Sequence, residues 1–275
     1  TIAYADEIKS YGSEIYYIPA KSKSLPGHLR QMYRILRSHP EYKKVYFNIL
    51  DAGAAITEVV PWLLRRKVIT HSHNGNTDKI RLHKLCRPFL NLFTDKRYAC
   101  SGVAAGFMFG KRHAEIIPNM IDAGKYSFSE DKRAAKRKEL GIENKFVICH
   151  VGRLSPQKNP FGLIDIFAEV LKAAENSVLL SVGSGEIADE VHNYAKEKGV
   201  YGNILFLGRR NDIDCLLSAA DVFLLPSFYE GLPIVAIEAQ ASGLPCVLSD
   251  CISPETAITG NVKFLSLEEP VSDWV

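Results

Sequence analysis

Long apolar runs are missing from this sequence. None approaches the roughly 18 consecutive apolar residues of a membrane-spanning helix. Cysteine is scarce and scattered: Cys86, Cys100, Cys149, Cys215, Cys246 and Cys251 form no Cys-x-x-Cys pair. Cys100, Cys149 and Cys246 sit in or beside strand-like apolar runs, where a buried thiol behaves as a small hydrophobe. That usage fits a reduced protein of the cytosol. Charge of one sign is lacking as well. A net charge of +3 is too small to argue for nucleic acid, and no RNA- or DNA-binding signature accompanies it. The opening residues hold no basic segment followed by an apolar core, so no signal peptide is expected in them. What is present is ordinary globular material. With 47% hydrophobic and 24% charged residues the chain can build sizeable cores, and 275 residues correspond to about two domains.

The second half alternates apolar runs with helical segments. Strands are predicted over 146–151, 177–182, 204–207, 222–225 and 246–248. Helices are expected between them, over 160–174, up to about 198, from about 212 and from 233. Asn159-Pro160 caps the first of these, with proline where its missing N–H costs nothing. Runs that are apolar throughout imply strands buried on both faces, and helices between strands imply a parallel, doubly wound α/β sheet. The first half is similar in kind: strands are predicted over 14–18, 44–49, 67–70, 97–99 and 116–117, with helices over 25–38 and 79–92. Residues 118–138 carry many charges and few apolar side chains. The expected division is therefore a first domain over 1–120, a linker over 121–141 and a second domain over 142–275. The chain opens as if inside a helix and closes as if starting one, so a fragment with both domains incomplete is expected.

Two motifs carry the chemistry. Val151-Gly-Arg-Leu-Ser-Pro-Gln-Lys158 puts Arg153 and Lys158 just past a predicted strand, at the edge where open parallel sheets bind ligands. A guanidinium grips two phosphate oxygens in a planar fork, and an ammonium adds a point charge. Pro226-Ser-Phe-Tyr-Glu-Gly-Leu-Pro-Ile-Val-Ala-Ile-Glu238 holds Glu230 and Glu238 around a Gly231-Leu232-Pro233 that opens a helix. There Gly231 would let backbone approach a ligand, Pro233 would occupy the first helical position, and the helix amides would favour an anion. A carboxylate accepts two hydrogen bonds from sugar hydroxyls with good geometry. Cations, helix amides and carboxylates together describe a site for a sugar diphosphate.

Other features have plainer readings. His71 and His73 end a strand at a spacing that would share one face; a third metal ligand is missing, so a polar wall with His73 or Asn74 touching substrate is expected. Asp212-Ile213-Asp214 mimics an Asp-x-Asp metal clamp, but helix capping accounts for it. Gly183-Ser184-Gly185 lacks the third glycine of a dinucleotide fingerprint and reads as a strand-to-helix turn beside the ligand. The helix over 79–92 sets Lys79, Arg81, His83, Lys84 and Arg87 among Ile80, Leu82, Leu85, Phe89 and Leu90. It reads either as a solvated face or as one that meets anionic lipid. The basic cluster Lys132–Lys138 reads as solvated linker.

Arg153, Lys158, Glu230 and Glu238 stand where the retaining transferases of glycosyltransferase family 4 (glycosyl transferases group 1) carry donor-binding residues. His-Ser-His-Asn at 71–74, Ile-Pro-Asn-Met-Ile-Asp at 117–122 and Ala-Ala-Asp-Val-Phe-Leu-Leu-Pro-Ser at 219–227 agree with that family too. The chain most resembles members that build bacterial exopolysaccharide, capsule or lipopolysaccharide. The resemblance implies the GT-B fold, two Rossmann-like domains of which the second binds a nucleotide sugar. It implies a diphosphate held by Arg153, Lys158 and the amides of Gly231 and Leu232, and a ribose and base met by Glu238, Gly208 and Arg209. His73 and Glu230 become the candidate catalytic residues beside the transferred sugar. No metal or other cofactor is implied. The expected partners are a nucleotide-sugar donor, a UDP sugar above others, and a glycan or lipid-linked acceptor, with no nucleic acid. Two departures are visible: the family's opening strand with its glycine-rich loop, and its closing C-terminal helix, have no counterpart here. Two alternatives remain open, a non-catalytic nucleotide-sugar-binding fragment and a sugar-nucleotide epimerase on the same scaffold.

Overall fold

A computed structural model describes residues 5–274. In chain order the elements are α1 (Ala5–Ser10), α2 (Leu25–Ser38), β1 (Lys44–Ile49), α3 (Ala55–Leu63), β2 (Lys67–Ser72), α4 (Ile80–Phe93), β3 (Lys96–Ala99), α5 (Gly102–Phe109) and β4 (Glu115–Ile116). There follow α6 (Ala123–Tyr126), α7 (Glu130–Leu140), β5 (Phe146–Val151), α8 (Pro160–Ala173), β6 (Ser177–Val182), α9 (Ala188–Glu197) and β7 (Ile204–Gly208). The last are α10 (Ile213–Ala219), β8 (Val222–Leu225), α11 (Ile234–Ala241), β9 (Cys246–Ser249) and β10 (Val262–Leu265). By contacts the chain divides into two compact units, Thr1–His71 with Lys79–Arg97, and Ser72–Asp78 with Tyr98–Val275. Residues 1–4, part of the stretch read as the inside of a helix, lie outside the described residues. No helix among the described residues is long and apolar enough to cross a membrane.

The strands of the first half follow the order β1-β2-β3-β4, with β3 and β4 parallel. Within the smaller unit, α2 begins where the Ser24 hydroxyl accepts the Gly27 N–H at 3.1 Å, an N-cap that satisfies an otherwise orphaned donor. The α4 helix turns His83, Cys86 and Leu90 inward, and His83 Nδ1 accepts the Ala52 amide at 3.1 Å. Glu58 on α3 is fully buried. Its two oxygens accept the hydroxyls of Thr70 and Thr94 at 2.9 and 3.2 Å. The strand expected over 14–18 does not form. Its tyrosines are rich in strand propensity, but Tyr17 is exposed and the Tyr16 hydroxyl turns to Glu14 and His39. Propensity without a cross-strand partner does not make a strand.

The larger unit holds a six-stranded sheet of order β10-β9-β8-β5-β6-β7, parallel in every pairing. Read from β7, this is the 3-2-1-4-5-6 order of a doubly wound fold, and the order of winding reverses between β5 and β8. Each apolar strand feeds two cores. Val147, Cys149, Phe223 and Leu225 join Leu216, Leu217, Ala236 and Ala239 on one face. Ile148 and Leu224 join Leu163, Phe167, Val170 and Val191 on the other. Period-two alternation into two buried faces explains why these strands read as continuously apolar. The β10 strand extends the sheet beyond the strands expected from sequence.

Most of the basic cluster over 132–138 is not solvated; Lys138 alone of its basic residues is exposed. It lies on α7, capped by the Ser129 hydroxyl and closed by Gly141 in a left-handed conformation. Arg133 donates to the carbonyls of Ser218 and Ala220 at 3.2 and 2.7 Å, and Arg137 to that of Ala219 at 2.9 Å. Those are carbonyls at the end of α10, which no later turn can satisfy. Both arginines also reach the Asp221 carboxylate, at 2.6 and 2.7 Å. So α7 is bolted to the sheet domain, inside the span expected as linker.

Candidate functional site

The switch point of the six-stranded sheet collects the sequence motifs. The loop after β5 carries Arg153 and Lys158, and the loop after β8 carries Glu230, Gly231 and Leu232. These two strands are neighbours in the sheet. Parallel strands send their carboxyl ends to one edge, so both loops rise from that edge beside the reversal.

Lys158 closes a single helical turn, and its ammonium lies 2.6 Å from Glu230 Oε1. The pair is 17% and 9% exposed, so two opposite charges are held largely out of water. Gln157 fastens the same loops together, donating to the Tyr229 carbonyl at 3.0 Å and accepting the Phe228 amide at 2.9 Å. Arg153 is not in that pair. It is exposed, 2.9 Å from Glu186, an ion pair that solvent makes weak. With Arg209 and the turn Gly183–Ser184–Gly185 it lines an open hollow of about 640 Å³.

The glycines of that turn answer to packing. A Cβ on Gly183 would stand 1.9 Å from the Gly152 carbonyl oxygen, and one on Gly185 1.9 Å from that of Leu154. Only bare backbone fits so close, and the contact presses the turn onto the arginine loop. Gly208, also expected at the site, accepts the Gly183 amide at 2.8 Å and has φ +61°.

Gly231 is required to be glycine by packing. A Cβ there would lie 2.4 Å from the His73 carbonyl oxygen and 3.1 Å from the Cys100 sulphur. The close approach is to the chain itself. Leu232 is buried among Ala99, Cys100, Ala104 and Ile237, and its carbonyl accepts the Asn119 side chain at 2.7 Å. Asn119 also hydrogen-bonds His73, whose pKa burial lowers from its usual value. His73, Asn119, Gly231 and Leu232 thus form one connected corner. The His71 ring meets the Tyr46 hydroxyl at 2.6 Å. Pro233 occupies the N-cap of α11 and not the first helical position, and no side chain caps that end. Glu238, on the second turn of α11, is half-buried; burial raises its carboxyl pKa, and a hydrogen bond from Tyr126 works against that shift.

The Asp-x-Asp pair at 212–214 does not cap α10 with its side chains. Asp212 is gripped by Arg210 at 2.6 Å and Lys136 at 2.7 Å, and Asp214 by Lys132 at 2.6 Å. The cations opposite each carboxylate explain the difference, and Arg210 above all holds the Asp212 carboxyl well below its usual range.

Sequence reading missed His150. It is the fifth residue of β5 and fully buried. Nδ1 donates to the Leu224 carbonyl at 3.0 Å, and Nε2 is buried without a partner. That nitrogen lies 3.0 Å from where a Cβ on Gly152 would stand, with the Lys158 stem 3.4 Å from the same point. Burial pushes its pKa down to about 4, and the Lys158 charge adds to the effect. The only available signal was a polar residue inside an otherwise apolar strand. On the face of the sheet that α8 covers, an apolar hollow of about 350 Å³ beside Phe146, Val222 and Trp274 offers little to a polar ligand.

The comparisons agree with this architecture. The sequence model of the family described as glycosyl transferases group 1 matches residues 131–270. EpsF of Bacillus subtilis, named as a glycosyltransferase, is 31% identical over 287 residues, covering 99% of this chain and 74% of its own length. An Escherichia coli protein named UDP-Gal:alpha-D-GlcNAc-diphosphoundecaprenol alpha-1,3-galactosyltransferase is 43% identical over 143 residues; the match spans 49% of this chain and 36% of that protein. Among solved structures, Anabaena Alr3699/HepE in complex with UDP-glucose superposes with a TM-score of 0.83 at 21% identity, covering 98% of this chain and 77% of that one. The backbone is therefore of the GT-B class, and the chain belongs to the glycosyl transferases group 1 family.

Proposed function

We propose that this chain forms the body of a retaining, metal-independent glycosyltransferase. It moves a hexose or N-acetylhexosamine from a nucleotide sugar, a UDP sugar first among them, to a glycan or lipid-linked saccharide. The setting is bacterial surface polysaccharide synthesis, on the cytoplasmic side of the membrane where such acceptors are anchored. The names of the E. coli galactosyltransferase and of the UDP-glucose complex support this donor and acceptor class. Residues 1–120 form the acceptor-side domain, 121–141 the connection, whose α7 is fixed to the sheet that follows, and 142–275 the donor domain. One observation carries the reading: the loops after β5 and β8 meet at the switch point in a buried Lys158–Glu230 pair.

The chemistry follows from charge. Breaking the bond between the anomeric carbon and the phosphate oxygen leaves negative charge on the diphosphate, while the carbon turns cationic. Arg153, Lys158 and the amides of Gly231 and Leu232 meet that negative charge without a metal. As the diphosphate arrives, Lys158 turns from Glu230 to phosphate. Glu230 is thereby released to accept hydrogen bonds from the sugar's hydroxyls. Glu238 bonds the ribose, Gly208 and Arg209 meet the base, and His73 lines the reacting face. The acceptor hydroxyl attacks from the face the diphosphate leaves, and its proton passes to the departing phosphate oxygen.

The test is transfer by the whole protein from UDP sugars, with Arg153→Ala and Lys158→Ala beside it. Each substitution is expected to lower kcat/KM by about 10²-fold, the usual loss of one such donor. The rate should survive EDTA, and NMR of the product should show the donor's anomeric configuration. Near-normal transfer by either variant, or an inverted product, overturns the mechanism. UDP binding with no transfer favours a non-catalytic binder, and release of a new nucleotide sugar without acceptor favours an epimerase.

A further inference from the structure

The lysine assigned to the diphosphate stands beside a side chain with an unused acceptor. His150 is fully buried on β5. A carbonyl oxygen only accepts, so the 3.0 Å contact with Leu224 fixes the ring proton on Nδ1. Nε2 of the neutral imidazole is then a bare lone pair. It is buried, and no donor among the described residues meets it. Polar atoms held out of water are nearly always paired, and one that is not calls for a reason.

The surroundings supply one. Gly152 follows directly on the strand, and a Cβ there would come 3.0 Å from Nε2 and 3.4 Å from Cδ of Lys158. Nitrogen and lysine stem therefore flank the same bare stretch of backbone, with the ammonium two bonds beyond that carbon. The ammonium's partner is Glu230, at 2.6 Å. Histidine and lysine also feel each other through space, the lysine charge disfavouring a protonated ring. An ammonium carries three donors, and a diphosphate that draws it off Glu230 does not take up all of them from one side. A neutral acceptor beneath would satisfy a remaining donor and hold the charge in place without cancelling it. A carboxylate at 150 would cancel it, and an apolar side chain would leave the donor unmet.

We propose that His150 is a positioning residue of the donor site: its Nε2 accepts a hydrogen bond from the Lys158 ammonium once that ammonium has turned to the diphosphate. Lys158 thus moves between two acceptors, a charged one in Glu230 and a neutral one in His150. Gly152 keeps the approach between stem and ring open. The inference rests on the donor site proposed above and deepens it, naming what aims the lysine at phosphate.

Calorimetry on the whole protein tests it, with UDP and with uridine, which lacks the diphosphate. His150→Asn keeps a donor for the Leu224 carbonyl but is too short to place an acceptor where Nε2 lies. It should weaken UDP binding about tenfold, the usual worth of a hydrogen bond to a charged group, and leave uridine affinity unchanged. In a Lys158→Met background the same substitution should cost UDP binding nothing further. Gly152→Ala, whose methyl would meet Nε2 and the lysine stem, should also weaken UDP and not uridine, and it carries the test if His150→Asn does not fold. Nitrogen NMR of labelled histidine should show the Nε2 resonance of the parent move on adding UDP and stay in place on adding uridine. Equal losses for UDP and uridine would make His150 merely structural and overturn the proposal. So would a loss that persists in Lys158→Met, or UDP affinity indifferent to both substitutions. A parent that binds no UDP sinks the donor site and this inference with it, whereas UDP binding that ignores His150 and Gly152 sinks this inference alone.

Discussion

Two regions of the larger unit are built from the same residue types and do opposite things. Between α7 and α10, Arg133, Lys136 and Arg137 face Asp212 and Asp221. The arginines also satisfy carbonyls at the end of α10. Asp221 completes the set by accepting the Val147 amide at 2.8 Å. None of these side chains is left with a buried polar atom lacking a partner. At the carboxyl edge, Lys158 faces Glu230, and the surroundings are under-satisfied: His150 Nε2, Ser227 Oγ and Ser253 Oγ are all buried without partners. A saturated network specifies structure. A network with unmet polar groups, at a sheet's switch point, fits the ligand site proposed for it. The distinction between structural and functional cations lies in what surrounds them, not in the residues.

The largest effect that could break this contrast is loss of Arg137. It is 8% exposed, and its guanidinium donates to the carbonyls of Ala219, Glu143 and Lys145 and to the Asp221 carboxylate. Arg137→Ala should leave Asp221 and several carbonyls stranded, costing about 3–5 kcal/mol in denaturant unfolding. UDP affinity of the folded fraction should be unchanged. A stable variant with impaired UDP binding would reverse the roles assigned to the two regions.

Carboxylates sharpen the contrast further. Asp212 and Asp221 have cations in contact and their pKa values fall, whereas Glu58 in the smaller unit has only hydroxyls in contact. Burial there raises its pKa to about 7, the threonine bonds and the more distant charges of Arg97 and Lys21 opposing the shift. A group whose folded pKa lies above its unfolded value contributes stability that is complete below about pH 4.5 and is lost as pH rises through about 7. Over that window the smaller unit should lose about 3 kcal/mol. Hydrogen exchange at the amides around Thr70 and Thr94 should accelerate from pH 5 to pH 8 beyond the intrinsic rate, and Glu58→Gln should flatten that rise. An equally steep rise in the variant would mean that Glu58 is not its cause.

How much of this could be read beforehand follows the range of the interactions. The α2 helix and the strands β1, β5, β6 and β8 appear in the structure with the bounds their apolar patterns predict, because those signals are local. The two loops that carry the proposed donor-side residues were legible for the same reason: each follows directly on a strand that its apolar run announces. What escaped was set by partners far away in sequence. Lys136 meets Asp212 across 76 positions and Arg133 meets Asp221 across 88, so a charged run with no apolar stripe looked like linker. The packing that requires glycine at 231 went unread because nothing local announces the His73 carbonyl beside it. The β10 strand, Val-Lys-Phe-Leu, is short and half-exposed, and only its pairing with β9 makes it a strand.

The smallest effect concerns His150, where the two regions touch the same strand. Its neutral ring beneath the Lys158 loop is the mirror image of Glu58. A histidine whose folded pKa is depressed to about 4 contributes stability that is complete above about pH 6.5 and is lost as pH falls toward 4. The larger unit should therefore weaken toward acid while the smaller unit weakens toward base, and exchange at β5 and β8 amides should report it. His150→Gln keeps a donor for the Leu224 carbonyl and cannot titrate. At pH 7, where the native imidazole is already uncharged, it should cost only about 1 kcal/mol, the worth of one re-formed hydrogen bond. Its acid limb should vanish. If the acid limb survives the substitution, protonation elsewhere drives it, and the unpartnered nitrogen is no part of what keeps the ground beneath Lys158 free of a second positive charge.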